Sequence, residues 1–204
     1  MTFEDAYSRV RERSWLSEAR LRALWASTKH VMAQNVPGAI VECGCATGGS
    51  AALLGMASAG RRALYLFDGF AGMPEPTERD PDQERAAQYV GHCKGTQREV
   101  EAFLADCGVT ATIEAGLYSD TLPSEDPLIV ALLHIDCDWH DSVMAALRAF
   151  YGRVSPGGRI HIDDYYHWQG CRKAVDDFLS AIGSTERIHA IDESGVYLAK
   201  GSAA

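Results

Sequence analysis

From residue 36 onward the chain alternates two hydrophobic patterns. Short, nearly unbroken apolar runs are separated by longer stretches in which apolar residues return every third or fourth position. The short runs read as buried strands: AIVEC (39–43), RRALYLFD (61–68), VTATIEAG (109–116), LIVALLHID (128–136) and RIHIDD (159–164). The longer ones read as helices: SAALLGMASA (50–59), TQREVEAFLADCG (96–108), DSVMAALRAFYGRV (141–154) and GCRKAVDDFLSAIG (170–183). Gly60 and Gly108 fall where two of these helices should stop. Residues 3–35 have helical spacing with a Ser17 cap between two stretches, ended by Val36-Pro37-Gly38. A turn is expected at Pro156-Gly157-Gly158, and the tail 184–200 predicts a hairpin about Glu193-Ser194-Gly195.

Strand and helix alternate at least five times, which predicts a doubly wound α/β sandwich, mostly parallel, with an antiparallel terminal edge strand. Residues 1–204 are expected to form one domain, opened by the helices of 1–35. One segment breaks the rhythm. Residues 69–95 carry Pro74, Pro76 and Pro81 and are too long for an ordinary connector, so a lid or substrate loop is expected, with a short helix over 82–90. Met73 and PEPTERDPD are its closing elements, and SDTLPSEDP (119–127) reads as a polar loop.

Composition narrows the setting. Apolar residues are 47% and charged residues 23% of 204, the balance of a soluble globular protein. No apolar run approaches the roughly 18 residues of a membrane span. The first residues lack a secretory pattern, so a cytoplasmic protein without a membrane partner is expected. The net charge of −9, with no stripe of Lys and Arg, argues against nucleic acid and suits a small neutral or cationic ligand or a bound cation. The six cysteines form no C-x-x-C pair or zinc spacing and read as reduced, structural residues.

Ligands of open α/β sheets bind beyond the carboxyl ends of the strands. Four of the expected strands end in acids or carry one at their last turn: Glu42, Asp68, Asp136 and the pair Asp163-Asp164. After the first strand, VECGCATGGS supplies glycines at 44, 48 and 49 for a tight turn, without the full G-x-G-x-x-G spacing. Asp68 ends the second strand, where an acid accepts hydrogen bonds from a ribose diol, so turn and acid together point to a nucleoside-containing cofactor. Asp136, Asp163 and Asp164 meet at one rim if their strands are neighbours, and a divalent cation such as Mg²⁺ would offset their repulsion. No phosphate-cradling G-x-x-x-x-G-K-[ST] and no G-x-S-x-G elbow is present.

The strings VECGCATGGSA, LYLFDGFAGMPEP, GLYSDTLP, HIDCDWHDSVMAAL and SPGGRIHIDDYYHWQGCRKAVDDF, in that order over residues 36–180, resemble the macrocin O-methyltransferase family. That resemblance implies a Rossmann-like class I methyltransferase using S-adenosylmethionine, commonly on sugar hydroxyls of natural products. It implies Glu42 and Gly44 at the methionine part, Asp68 at the ribose, Tyr118 and Ser119 near the adenine, and Ser50 among the cofactor-binding positions. Asp136, Asp163 and Asp164 match the family's Mg²⁺ carboxylates. The partner is then a small-molecule hydroxyl acceptor. His140 and His167, which follow acid-bearing strand ends, are base candidates beside Asp136 and Asp138. Two other classes stay open. Histidines 161, 140 or 167 with the acids would suit Fe(II) in a non-methylating enzyme, and a non-catalytic cofactor-binding protein is the third class. Phe3, Tyr7, Trp15 and Trp25 on the N-terminal helices are expected to pack between two subunits of a homodimer.

Overall fold

The computed structural model of the protein describes residues 1–122 and 128–201; the loop expected over 119–127 lies partly outside them. Seven strands form one sheet in the order β3-β2-β1-β4-β5-β7-β6. They are β1 (Ala39–Cys43), β2 (Leu64–Asp68), β3 (Thr112–Ala115), β4 (Val130–Ile135), β5 (Val154–Ile162), β6 (Ile188–Ala190) and β7 (Val196–Ala199). The first five run parallel. The terminal hairpin adds β7 antiparallel to β5, with β6 as the edge beyond it.

The helices are α1 (Phe3–Val10), α2 (Glu18–Ala33), α3 (Gly49–Ser58), α4 (Gln83–Ala86), α5 (Gln97–Asp106), α6 (Tyr118–Thr121), α7 (His140–Phe150) and α8 (Gln169–Ala181). Alternating strand residues feed two cores. Ile40, Leu64, Leu66 and Leu132 face α1, α2, α3 and α5, while Val41, Cys43, Phe67 and Leu133 face α7 and α8. The chain leaves β1 for β2 and β3 on one side and returns to β4 and β5 on the other. Adjacent β1 and β4 are therefore the point where the winding reverses, and a crevice opens at their carboxyl ends.

Two expectations are corrected. Pro156-Gly157-Gly158 is not a turn before a strand but a bulge within β5, where pairing jumps from Val130↔Val154 to Leu132↔Arg159. The N-terminal aromatics mostly pack inward: Phe3 and Trp25 are buried, with ring contacts Phe3–Tyr7 at 5.5 Å and Phe3–Trp25 at 6.1 Å, leaving only Trp15 exposed. Residues 69–95, the expected lid or substrate loop, make fixed contacts with the start of α7. Buried Asp80 accepts from the His140 amide at the start of α7 (2.8 Å), Trp139 Nε1 donates to the Pro74 carbonyl (2.7 Å), and Met73 is buried. Asp80 is also why Gly170 is glycine, since a Cβ there would lie 1.9 Å from its Oδ1. All six cysteines are free. No helix among the described residues is long and apolar enough to cross a membrane.

Candidate active site

The glycine turn is built by backbone packing as much as by any ligand. Gly44 has φ +89°, and a Cβ on it would fall 1.8 Å from the Asp136 carbonyl oxygen, so β1 and β4 approach as closely as they do only with glycine here. Asp68, ending β2, crosses over this turn. Its Oδ2 accepts from the amides of Cys45 and Ala46, both 2.8 Å, and its Oδ1 from the Phe70 amide at 2.7 Å. Three backbone donors fix the carboxylate and leave part of its acceptor capacity for a further donor.

Glu42 lies one register step away, fully buried. Its Oε1 is 2.8 Å from Nδ1 of His134 on β4, and its Oε2 has no partner among the described residues. A buried carboxylate oxygen without a donor is costly, and a cationic ligand is a natural complement to it. The other cofactor positions lie around the same end of the sheet. Ser50 is buried in the first turn of α3. Tyr118 is packed against the α7 side of the sheet, its hydroxyl donating to the Phe67 carbonyl at 3.4 Å. Ser119 is exposed and turns to Asp120 at 2.9 Å.

The acids meet as the strand order requires. Asp136, Asp163 and Asp164 each offer one oxygen, all within 4.8 Å of one another. Burial pushes all three carboxyls upward; repulsion from the neighbouring acids adds to it at Asp136 and at Asp163, which rises to about 7, while at Asp164 the neighbours, Arg20 first, oppose it. Asp138 joins them. Burial and Asp164 raise its carboxyl, and the two side chains share a hydrogen bond, which needs a proton between them. Asp138 is held by a left-handed backbone (φ +59°) and by Trp168 Nε1 at 3.2 Å.

One cation already enters this cluster. Arg20, in the first turn of α2, bonds Asp163 through Nη1 and reaches Asp192 at 3.1 Å through Nε. Asp192 in turn accepts from Ser17, the α2 cap, and from the amides of Ser194 and Gly195. The sequence reading missed Arg20. Its only local signal is a basic residue in a helix's first turn, where the macrodipole favours an acid.

The histidines divide. His140 is buried with Nδ1 2.9 Å from Asp141 and faces an open cavity between α7 and α8, lined also by Met144, Arg148 and Phe178. Among the described residues no hydrogen bond joins it to the acid cluster. His167 lies nearer, on the segment after Asp164, but its Nε2 is 2.7 Å from Arg85, whose guanidinium also stacks on Trp168 at 4.2 Å. His161 is buried under α2 with Nε2 2.8 Å from Ser27, and burial lowers its pKa to about 3. The Fe(II) ligand set read from the sequence is therefore not brought together.

A family model described as Macrocin-O-methyltransferase (TylF) matches residues 11–200. The Streptomyces olivaceus 8-demethyl-8-(2,3-dimethoxy-alpha-L-rhamnosyl)-tetracenomycin-C 4'-O-methyltransferase is 32% identical over 210 residues, covering 95% of this chain and 80% of that protein. Mycinamicin III 3''-O-methyltransferase of Micromonospora griseorubida is 29% identical over 192 residues, covering 87% and 74%. The solved O-methyltransferase NovP superposes with a TM-score of 0.80 at 27% identity, over 90% of this chain and 80% of that one. The calicheamicin methyltransferase CalS11, at 22% identity and a TM-score of 0.74 over 90% and 79%, shares the fold. With its winding reversed at β1 and β4 and its acids gathered at their ends, the chain belongs to the macrocin O-methyltransferase family and is an O-methyltransferase.

Proposed function

We propose that the protein methylates a hydroxyl of a sugar or glycosylated natural product, taking the methyl from S-adenosylmethionine with a divalent cation, Mg²⁺, held by Asp136, Asp163 and Asp164. The observation that carries the metal reading is the trio of carboxylates within 4.8 Å, each made more basic by burial. Hard oxygen donors clustered this way suit Mg²⁺. The sugar reading rests on the relatives, two of which are named for methylating rhamnosyl-tetracenomycin and mycinamicin III. The family excludes the non-methylating iron enzyme and the non-catalytic binding protein as readings.

Bound, the sulfonium supplies an electrophilic methyl and the cation lowers the pKa of an oxygen it holds. The chain's own residues do the rest. Glu42 Oε2 receives the cofactor's ammonium, and Asp68, fixed by three amides, receives the ribose hydroxyls. Gly44 and Ser50 shape the turn, and Tyr118 with Ser119 borders the adenine. Asp136 takes the acceptor's proton on this reading, because it sits inside the cluster that would hold the acceptor oxygen. His167 is the second base candidate and must first part from Arg85, and His140 is the third, engaged with Asp141.

Calorimetric titration of chelator-treated protein with S-adenosylmethionine and with Mg²⁺ tests this, for wild type and Asp163→Asn. A Mg²⁺ heat present in wild type and lost in the variant, with cofactor binding in both, is expected. A Mg²⁺ heat that survives Asp163→Asn sinks the metal assignment, and absence of cofactor binding sinks the donor.

A further inference from the structure

His134 is a polar residue inside the most apolar strand of the protein, and nothing in the proposed chemistry uses it. It is 1% exposed, and its Nδ1 meets Glu42 Oε1 at 2.8 Å. A carboxylate has only acceptors, so Nδ1 is the donor. The contact follows from the sheet register, which sets Glu42 directly opposite His134 across the β1–β4 pair. Both side chains stand on the face covered by α2. The imidazole also lines a small internal gap with Arg20, His161 and Asp163, so it lies between the turn's carboxylate and the acid cluster.

From this geometry we infer that His134 is a positioning residue for cofactor binding. Its Nδ1–H fastens one oxygen of Glu42 and so fixes the orientation of the other, buried and without a hydrogen-bond partner among the described residues, for the cation it is to receive. Glu42 carries no other hydrogen bond from a described side chain, so without His134 the carboxylate is free to turn within its buried site. The inference rests on the proposed donor, S-adenosylmethionine, and deepens that reading by naming what orients its ammonium's partner.

Two substitutions separate positioning from packing. His134→Leu preserves apolar volume and removes the donor, whereas His134→Asn loses volume and keeps an N–H near the Nδ1 position. Positioning predicts that His134→Leu weakens S-adenosylmethionine binding between about tenfold and hundredfold, the scale of one hydrogen bond to a charged group, while His134→Asn stays within about threefold of wild type. A packing role predicts the reverse order. A cycle with Glu42→Gln gives the second readout: if His134 acts through Glu42, His134→Leu adds no further loss once Glu42 is gone. Binding is measured by calorimetry on the full chain, with thermal unfolding to show that each variant is folded. Wild-type-like affinity in His134→Leu, a larger loss in His134→Asn, or full additivity in the cycle overturns the inference. A wild type that fails to bind S-adenosylmethionine overturns the donor reading beneath it, so the two failures are told apart.

Discussion

If the acids at the rim are held together against their repulsion, removing one of them should stabilise the metal-free protein as pH rises. Asp163 is the informative site, because Asn is isosteric with the protonated acid and the carboxyl is 6% exposed. Burial and then Asp164 move its carboxyl from 3.8 to about 7, Arg20 opposing them. The folded state therefore binds this proton more tightly than the unfolded chain does. The stability it contributes is complete below the unfolded value and is lost as pH rises through about 7. At ~1.4 kcal/mol per pH unit the effect is on the order of a few kcal/mol, and most of what remains above pH 5 is lost by pH 8.

His161 works in the opposite direction. Burial lowers it from 6.5 to about 3, so its contribution is present above 6.5 and is lost as pH falls toward 3. An absolute stability profile mixes the two, and the difference between Asp163→Asn and wild type removes His161, which both share. Urea unfolding in chelator should show that difference moving in favour of the variant by on the order of a few kcal/mol from pH 5 to 8. Mg²⁺ should then restore wild type selectively, by about 2.7 kcal/mol at a hundredfold excess over Kd, and leave the variant nearly unchanged. A difference that is flat across this range, or that moves against the variant, would refute the claim that the carboxylates are mutually strained.

Arg20→Gln should destabilise the metal-free protein by about 3–5 kcal/mol, because Asp163 and Asp192 lose a partner that is itself largely buried. The same variant should bind Mg²⁺ more tightly, the cluster having one positive charge fewer, and calorimetry beside urea unfolding checks both signs. Asp80→Ala removes the acceptor at the start of α7 and should cost about 1–2 kcal/mol. Limited proteolysis should then cut faster within 69–95 than elsewhere. Gly44→Ala places a Cβ 1.8 Å from the Asp136 carbonyl at a φ of +89°, and its melting temperature should fall by more than about 10 °C, or the protein should fail to fold.

The acids at the strand ends could be read from the sequence because their meeting needs only two facts, the period of the strands and the order of the sheet. Asp136 follows β4 and Asp163 follows β5, and parallel neighbours joined by one helix bring their carboxyl ends to one rim. The partners of those acids could not be read in the same way. Arg20 is 143 residues from Asp163, and Glu42 is 92 from His134. Each pair exists because two elements far apart in the chain share a face, and hydrophobic periodicity says where a face points without saying which polar residue will meet it. The partner of His140 was illegible for a related reason. Following an acid-bearing strand end puts the residue at the rim, but it opens α7, and there its ring turns to Asp141 and the α7–α8 cavity. The 69–95 segment makes the same point from the other direction. Proline and length mark it as irregular, and irregular segments are commonly mobile. Here its backbone is fastened by Asp80 at α7 and by Trp139 at Pro74, contacts carried by the same rim that holds the acids. A segment anchored to the starts of the elements that bear the site transmits their position to whatever binds between them. Its effect on acceptor choice should therefore come in part through where Trp139, Trp168 and Arg85 are held.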